Sequence, residues 1–587
     1  MRNKFILLLL LISLFISCEN SIQEEEEEVD LTKIISPNNE WNYYENRTLQ
    51  LSLNIRSNEI EWFSDLDGFL GNGNGLFVSL RKGFHNIKAN YKNKTYSIGI
   101  EIKKDNVGYL EERRFLISLT DMQINITEGL WFPSVTTHDG TMIGFSYGYP
   151  EPKPIFSILA DNTACSPLRD FHIPIENIEN LKVKSSKARF SITASYKVGD
   201  YKDFLVLNTA NTYEKPNEIN GRMIHSGNRY TLWRDVNESI SSSLINQIIN
   251  NIDNKIMPRL ISIWGEWADV DGDGKIAILL TKTINNENVS TGFFFPQDMF
   301  TVESDPNEPS YNPDSNQMDI VYVGYPIAND PVYNINTISA AIAHEITHAI
   351  TFSQKTYNKL IAGNSSIKRE TVFLEEGWSH LSENLCGFSV SGGNIVFLKR
   401  YFENTAIYSF CSPNAMGQMD SAGMRGAMTL FLSWLFWKQG GMEWHPTDSG
   451  VVYDRGGINF LKTLTSSDSI GWPSIGETAG KTMDDLFLEF VSAMNRQRVS
   501  NKLYEYKSDP YTGEPVEFFN NMGEFLYQGV LYNISIDTMV SANEPRNTLP
   551  WSFFFLESVS AKDNYLLPVS SRLILGKALI SFIKGNL

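Results

Sequence analysis

Two histidines and a glutamate in one short segment have the residue types and spacing of a metal site. The segment reads His344-Glu345-Ile346-Thr347-His348 and has the pattern H-E-x-x-H. Side chains four residues apart lie on one face of a helix, so both imidazoles can bind one zinc ion. Zinc lowers the pKa of its bound water to about 7, and the glutamate is placed to accept a proton from that water. The motif predicts metal-assisted hydrolysis with Glu345 as the general base.

The residues around the motif predict a buried helix. Residues 336–352 contain neither Gly nor Pro and are apolar on nearly every face, as expected of a helix packed on both sides. Asn336 or Thr337 is placed to cap its first turn. The alternative is a pair of core histidines without a metal, which would rarely form this pattern by chance because the chain has only 8 His.

A second predicted helix, at 373–383, carries candidates for a third ligand. A catalytic zinc site has three protein ligands and one position open for water. Glu376, His380 and Glu383 stand at i, i+4 and i+7, so they share one helix face. Glu375 would point about 100° away around the helix, and we expect it to meet solvent.

An aspartate-rich segment upstream is typical of a cation-binding loop. Asp269, Asp271 and Asp273 occupy alternate positions of a tight turn that contains glycine, and the backbone carbonyl of Lys275 can add a further oxygen. Such ligands favour calcium in a structural role. The loop departs from the EF-hand pattern because its twelfth position is Leu280 and not Glu. The alternative is a solvated acidic turn, although three converging like charges are unfavourable without a cation.

The two helices together resemble a known group of enzymes. H-E-x-x-H followed by E-G-x-S-x-x-x-E resembles the gluzincin metallopeptidases, in which the glutamate before a small residue on the next helix is the third zinc ligand. With the aspartate-rich loop, the combination is similar to the hyicolysin family of secreted bacterial metallopeptidases. The resemblance implies that His344, His348 and Glu376 bind zinc and that Glu345 is the base. It extends over about 190–500 in outline and is specific only at the loop and the two helices.

The chain departs from this resemblance at His380, where thermolysin-like enzymes carry an aspartate that supports a ligand. His380 could support a ligand or replace Glu376 as the third one, and Glu383 could supply the missing carboxylate. A solvated helix face is the alternative for Glu383. In gluzincins a strand edges the cleft and pairs with extended substrate, and the resemblance implies this role for residues 318–323.

The N-terminus predicts export and a lipid anchor. Two basic residues precede an apolar run at 5–15, which is too short to span a bilayer comfortably. Together with Cys18, this run resembles a bacterial lipoprotein signal peptide that is cleaved before Cys18, leaving that residue lipidated. A secretory signal cut at another site is the alternative. Residues 24–28 are all Glu and suit a self-repelling spacer, so we expect a lipid-anchored protein of the bacterial cell envelope, at the outer membrane or cell surface.

Composition limits the remaining classes. The 587-residue chain has a net charge of -18, which argues against a nucleic acid partner because clustered Lys and Arg are needed to replace the counterions of phosphate. No second apolar stretch of about 20 residues is present, so we predict no spanning helix in the mature protein. Cys165, Cys386 and Cys411 are too few for a disulfide scaffold, and Cys386 with Cys411 is a possible pair.

We expect an α+β fold, with a gluzincin (thermolysin-like) catalytic core, a zinc helix, a helical C-terminal lobe and β-sandwich accessory domains. Short strands and turns near the start predict an immunoglobulin-like domain with Trp62 in its core. The predicted segments are a lipoprotein signal peptide at 1–17, an acidic tether at 18–31, the immunoglobulin-like β domain at 32–104, a β-rich N-terminal part of the peptidase at 105–215, the zinc metallopeptidase catalytic domain at 216–504 and a C-terminal β-rich domain at 505–587.

The predicted function is that of a zinc-dependent endopeptidase acting on extracellular proteins, with polypeptides as substrates and calcium as a structural ion. The competing hypothesis is a non-catalytic, adhesin-like surface lipoprotein on a peptidase scaffold. Intact Glu345 favours the enzyme, because loss of the base is the usual mark of a decayed site. A zinc hydrolase acting on a non-peptide bond is a third interpretation.

Overall fold

The structure is a computed structural model. It describes residues 32–103 with gaps at 38–42, 46–47, 54, 56, 58 and 74–75; short strands between 112 and 144; residues 180–183; residues 196–500 with gaps at 213, 365–367, 404 and 411–419; and much of 507–585. The chain divides into two compact units, residues 1–104 and 105–587. The predicted signal peptide, Cys18 and the tether lie outside the described residues, as do Cys165 and Cys411.

The first unit contains two sheets on a shared apolar core. Its strands are β1 (Ile34–Ser36), β2 (Tyr43–Tyr44), β3 (Thr48–Leu53), β4 (Glu61–Ser64), β5 (Gly68–Asn72), β6 (Leu76–Ser79), β7 (Gly83–Tyr91) and β8 (Lys94–Lys103). The strand orders are β1-β3-β6 and β2-β8-β7-β4-β5. Ile87 and Ala89, on the inward face of β7, share a core with Trp62 of β4 and Leu51 of β3. The prediction that Trp62 is a core residue is confirmed, since its side chain is fully buried.

The second unit contains the other described strands. They are β9 (Glu112–Ser118), β10 (Met122–Ile126), β11 (Gly129–Thr137), β12 (Ile143–Gly144), β13 (Tyr201–Val206), β14 (Asn217–Ser226), β15 (Tyr230–Asp235), β16 (Ile276–Thr281), β17 (Gly292–Phe294), β18 (Ile320–Gly324), β19 (Met442–Trp444), β20 (Val452–Asp454), β21 (Glu524–Tyr527), β22 (Val530–Asn533), β23 (Met539–Val540), β24 (Asn547–Thr548), β25 (Phe553–Leu556), β26 (Val559–Ala561), β27 (Tyr565–Val569), β28 (Leu573–Ile574) and β29 (Lys577–Gly585).

Strands from the two ends of this unit pair with one another. β9 and β11 lie on either side of β29, and β10 pairs with β27. The sequence analysis placed residues 105–215 and 505–587 in different domains. In the structure both ranges contribute strands to the same sheets, because antiparallel pairing joins segments that are remote in sequence.

A six-stranded sheet with the order β13-β14-β15-β16-β18-β17 packs against the helix that carries the motif. β15, β16 and β18 are parallel, and β17 is antiparallel to β18. All residues of β16 and β18 are buried, as expected of parallel strands covered on both faces. The prediction that residues 318–323 form an edge strand is therefore wrong. β18 is interior and β17 is the edge, because strand order depends on tertiary pairing that a strand's own pattern does not encode.

The described helices belong to the second unit. They are α1 (Ser242–Asn251), α2 (Met257–Trp264), α3 (Lys282–Glu287), α4 (Ile335–Phe352), α5 (Asn358–Ile361), α6 (Val372–Leu385), α7 (Ser389–Gly392), α8 (Asn394–Glu403), α9 (Ala422–Lys438), α10 (Gly457–Ser466), α11 (Gly471–Ala479) and α12 (Met483–Ser500), with π-helical turns at Ile252–Ile256 and Ser353–Tyr357 and a 3-10 turn at Pro296–Met299. None of the described helices has both the length and the hydrophobicity needed to cross a bilayer.

Three of these helices position the candidate site. α4 packs on β17, β18 and α6, and α6 packs in turn on α9. Gly377 allows the close approach of α6 to α9, because a Cβ at this position would lie 2.6 Å from Leu432 Cδ1 and 3.2 Å from Met428 Cβ. The small residue that follows Glu376 in the sequence thus has a packing role.

Candidate metal centre

Helix α4 holds the H-E-x-x-H motif inside the second unit. It begins after Asn334, whose side chain accepts hydrogen bonds from the backbone N–H groups of Asn336 and Thr337. Asn334 is therefore the capping residue, and the prediction of Asn336 or Thr337 was wrong by two or three positions. All residues from 337 to 347 are buried, which fixes the helix between the sheet and α6.

His344, His348 and Glu376 bring three ligand atoms together. The Nε2 atoms of the two histidines lie 3.1 Å apart. Glu376 lies with Oε2 at 3.4 Å from His344 Nε2 and Oε1 at 3.7 Å from His348 Nε2. Ligand atoms bound at about 2.0–2.1 Å to a tetrahedral zinc ion would be about 3.3 Å from one another. The two imidazole nitrogens and Oε2 of Glu376 give separations of 3.1 and 3.4 Å, close to that value, and Oε1 of Glu376 is somewhat farther from His348, so these residues fit a metal ion.

The candidate centre is buried, with one partly exposed side chain. The side chains of His344 and Glu376 are fully buried, whereas the side chain of His348 is 12% exposed. A catalytic zinc site has three protein ligands and a fourth position for water, whereas a structural site has four protein ligands. Three candidate ligands agree with the catalytic type.

Neighbouring side chains orient the two imidazoles. Oε1 of Glu383 accepts hydrogen bonds from Nδ1 of His344 and Nδ1 of His380, each at 2.8 Å. Ser379 Oγ lies 3.3 Å from Nδ1 of His348. With Nδ1 protonated, each histidine of the motif presents the lone pair of Nε2 to the centre. Glu383 thus supports His344 from the protein interior, and the alternative of a solvated helix face does not hold.

His380 stands behind the three ligand atoms. Its Nδ1 donates to Glu383, and its Nε2 lies 3.5 Å from Nη1 of Arg425. His344, His380 and Glu383 are close enough to form a second possible ligand group. Their N···O separations of 2.8 Å are nevertheless those of hydrogen bonds and are shorter than the about 3.3 Å between ligands of tetrahedral zinc. The geometry favours Glu376 over His380 as the third ligand.

Glu345 lies next to the edge strand of the sheet. A Cβ on Gly292 of β17 would be 3.2 Å from Cγ and 3.3 Å from Oε1 of Glu345. Glycine therefore leaves the space that the carboxylate occupies. Glu345 is buried, so its carboxylate is held beside β17 and away from bulk solvent.

Glu375 is not on a solvent-facing surface. Its side chain is buried and its Oε2 lies 3.4 Å from Nη2 of Arg369. The prediction of solvent exposure is wrong, because neighbouring structure covers this face of α6. The glutamate does pair away from the ligand group, as the helical rotation relative to Glu376 predicts.

Arg425 of α9 is a site residue that the sequence reasoning missed. It is fully buried, and its Nη1 lies 3.0 Å from Oε2 of Glu376. Asp420 accepts hydrogen bonds from Nε of Arg425 at 2.8 Å and from Nη2 at 2.5 Å. The signal in the sequence is one arginine at the start of an otherwise apolar helix, where a buried charge requires a partner.

The aspartate-rich loop forms the predicted tight turn. One carboxylate oxygen from each of Asp269, Asp271 and Asp273 lies within 4.8 Å of the others. Gly272 and Gly274 have φ angles of 83° and 75°, which favour glycine. The loop leads directly into β16, so its conformation fixes the start of an interior strand of the sheet.

Asp319 is a buried carboxylate beside this loop that the sequence reasoning also missed. It accepts hydrogen bonds from Trp267 Nε1 at 2.6 Å and from the backbone N–H of Val270 at 2.9 Å. Burial, and then the negative charge of Asp271, raise the pKa of Asp319 well above its usual value. Burial also raises the pKa of Asp273. Four acidic groups thus occupy one region, which a cation would stabilise.

Comparison with known proteins supports a metalloprotease. Over 198 residues, the chain is 27% identical to the neutral metalloprotease ShpI of Staphylococcus hyicus. The chain is similar to a metalloprotease. The similarity covers 32% of this chain and 41% of that protein, so it spans less than half of the relative's length. No family model matches the chain.

Proposed function

We propose that the protein is a zinc-dependent endopeptidase that hydrolyses peptide bonds of extracellular proteins. The observation that carries the proposal is the convergence of His344, His348 and Glu376 on a helix that also holds the buried carboxylate of Glu345. The distant similarity to a neutral metalloprotease supports the same type of reaction.

The mechanism follows from the roles that the side chains can take. Zinc, when bound, supplies a Lewis acid that polarises a carbonyl and acidifies water. His344 and His348 bind through Nε2, while Glu383 and Ser379 hold their Nδ1 atoms. Glu345 accepts a proton from the attacking water at a carboxylate oxygen and then delivers it to the nitrogen of the leaving amine.

An extended polypeptide is the substrate that suits the sheet edge. Among the described strands, β17 pairs only with β18. In the described part of the sheet it is the edge strand, which is where an added strand would pair. Because Gly292 of β17 lies next to Glu345, a polypeptide bound along this edge would pass the general base. Resemblance assigned this role to residues 318–323, and the sheet order moves it to β17.

A calcium ion in the aspartate-rich loop is part of the proposal. The ligands would be carboxylate oxygens of Asp269, Asp271 and Asp273 and the backbone carbonyl of Lys275. The proximity of the three carboxylates, next to the further carboxyl group of Asp319, supports this assignment. Its role would be to stabilise the turn before β16.

Lipid anchoring at the cell envelope rests on the sequence pattern around Cys18. Lipidation of Cys18 would tether the protein to the outer membrane or cell surface through the acidic spacer at 24–28. Mass spectrometry of the mature N-terminus tests this. A mature chain that begins elsewhere, or with an unmodified Cys18, would contradict it.

The activity can be tested on a soluble form that begins after Glu28, with a quenched-fluorescent casein as substrate. We expect cleavage that a zinc chelator abolishes and that added zinc restores, with stoichiometric zinc in the same sample. Glu345→Gln should retain zinc and lose about 100- to 10,000-fold in rate, the usual contribution of a general base.

The other outcomes are equally informative. Full activity of Glu345→Gln would remove Glu345 as the base. Stoichiometric zinc without cleavage of any protein substrate would favour the adhesin-like lipoprotein on a peptidase scaffold. A purified protein that binds no zinc would overturn the assignment of the metal centre.

A further inference from the structure

Arg425 is a buried cation beside Glu376, although it is not itself a candidate metal ligand. Its side chain is fully buried, and removing a guanidinium from water is unfavourable unless charged partners surround it. Among the described residues, Asp420 and Glu376 are such partners. Asp420 accepts from Nε at 2.8 Å and from Nη2 at 2.5 Å, and Oε2 of Glu376 lies 3.0 Å from Nη1.

The pairing with Asp420 fixes the direction of the third nitrogen. Two parallel N–H···O bonds between a guanidinium and a carboxylate hold both groups in one plane. Because Nε and Nη2 are used in this way, Nη1 is left for other groups and lies 3.0 Å from Oε2 of Glu376 and 3.5 Å from Nε2 of His380. Asp420 therefore aims Arg425, although none of its described contacts is with a candidate ligand.

The contact with Nη1 falls on an oxygen of Glu376 that also approaches an imidazole. Oε2 lies 3.4 Å from Nε2 of His344, and Oε1 lies 3.7 Å from Nε2 of His348, so both oxygens face the candidate centre. A guanidinium 3.0 Å from Oε2 therefore limits how far this carboxylate can turn away from the two imidazoles.

Arg425 also joins the two sides of the centre. Its Nη1 lies 3.5 Å from Nε2 of His380, whose Nδ1 donates to Glu383. Glu383 also accepts from His344. A closed ring of buried groups thus runs from Glu376 through Arg425, His380 and Glu383 to His344. Two candidate ligands are connected through side chains that do not themselves bind the ion.

We propose that Arg425, aimed by Asp420, is a positioning residue that holds the carboxylate of Glu376 in place beside the two imidazoles, where it can bind zinc. The inference rests on the proposed function, because it takes Glu376 as a zinc ligand. The negative charge of Asp420 matters as well as the contact between Arg425 and Glu376. Asp420 offsets the positive charge of Arg425, which would otherwise oppose a cation a few ångströms away.

The test uses the full chain in detergent and the variants Arg425→Lys and Asp420→Asn. Lysine keeps the charge but cannot pair with Asp420 through two parallel bonds while also contacting Glu376. Arg455→Lys is the matched control, since it alters a buried Arg–Glu443 pair in the same unit. Zinc affinity is measured by competition with a chelator, and ligand number by the visible absorption of the cobalt-substituted protein.

We expect zinc affinity to fall about 10- to 100-fold in Arg425→Lys, the usual effect of losing a group that supports a ligand. Its cobalt absorption should change in intensity as Glu376 shifts relative to the ion. Asp420→Asn should change both quantities in the same direction, although its side chain lies outside the ligand group and is 23% exposed. Arg455→Lys should match the wild type in both.

Each outcome separates this inference from the proposed function. Unchanged affinity and unchanged cobalt absorption in both variants, with wild-type cleavage intact, would overturn the positioning role alone. Wild-type protein that binds zinc without cleaving casein would overturn the function, while the shifts in the variants would still support the role of Arg425. If Arg425→Lys fails to fold by circular dichroism, Asp420→Asn decides. A wild type without zinc overturns both.

Discussion

Glu376 is the residue on which most of the candidate site depends. Its carboxylate lies near two imidazole nitrogens and one guanidinium, all of them in the protein interior. A buried carboxylate without such partners would be strongly unfavourable. Arg425 contacts it directly, so the protein itself helps to orient Glu376.

At the residue scale, we predict different effects for two adjacent glutamates. Glu376→Ala should weaken zinc binding by more than the about 10- to 100-fold that loss of a supporting side chain costs, because it removes a ligand. Glu375→Ala is the control, since this buried neighbour pairs with Arg369 and does not reach the ligand group. Zinc content after dialysis against a graded chelator measures both. Equal zinc content in the two variants would redirect the assignment to His380.

At the element scale, the contact between strand β17 and helix α4 sets the position of the base. The strand offers a glycine where a Cβ would lie 3.0 Å from the carbonyl oxygen of Tyr322 and 3.2 Å from Cγ of Glu345. Neither neighbour can move far, because Tyr322 belongs to the interior strand β18 and Glu345 to a fully packed helix turn. The side chain of Glu345 would therefore have to move if residue 292 carried a Cβ.

We therefore predict that Gly292→Ala lowers the rate of hydrolysis about 10- to 100-fold, since small misplacements of a reacting group have effects of this size. Zinc content should be unchanged because no ligand is touched. The measurement is the rate on casein at saturating substrate, with zinc determined on the same sample. Wild-type activity in this variant would mean that Glu345 has more room than the structure gives it.

The elements that the sequence predicts well are those whose pattern is local. The helix around His344, the helix around Glu376 and the turn at 269–275 were identified because their residue types and spacing report their own conformation. The edge strand was misassigned and Arg425 was missed for the opposite reason. The order of strands in a sheet is decided only when remote segments pack together. The same is true of the ion pair between Arg425 and Glu376, which are 49 residues apart in the sequence.

At the scale of the whole molecule, strands from the start and the end of the second unit pair in the same sheet. β29 lies between β9 and β11, so strands after residue 505 complete sheets that begin near residue 112. Removing the C-terminal residues would expose the edges of β9 and β11, which are liable to pair with other chains. These residues belong to the unit that carries the site and do not form an independent appendage.

Calcium should act on the stability of this unit as a whole. A calcium concentration 100-fold above the dissociation constant would stabilise the folded state by about 2.7 kcal/mol. We expect a higher melting temperature with calcium than with a chelator selective for calcium, and no such difference in Asp271→Asn. Asp305→Asn is the control, because this aspartate lies in another acidic turn outside the cluster. Identical melting curves for the wild type with and without calcium would contradict a role for the loop.

Cys386 follows the last residue of α6, the helix that carries Glu376. The structure gives it as a free, buried thiol, and Cys411, named above as a possible partner, lies outside the described residues. Burial raises the pKa of this thiol to about 12, so at neutral pH almost none of it is in the reactive thiolate form. It can be alkylated only when the end of α6 opens to solvent. The rate at which a thiol reagent modifies Cys386, followed by peptide mass spectrometry, therefore reports how often the end of α6 opens. Metal that binds through Glu376 should lower this rate of modification.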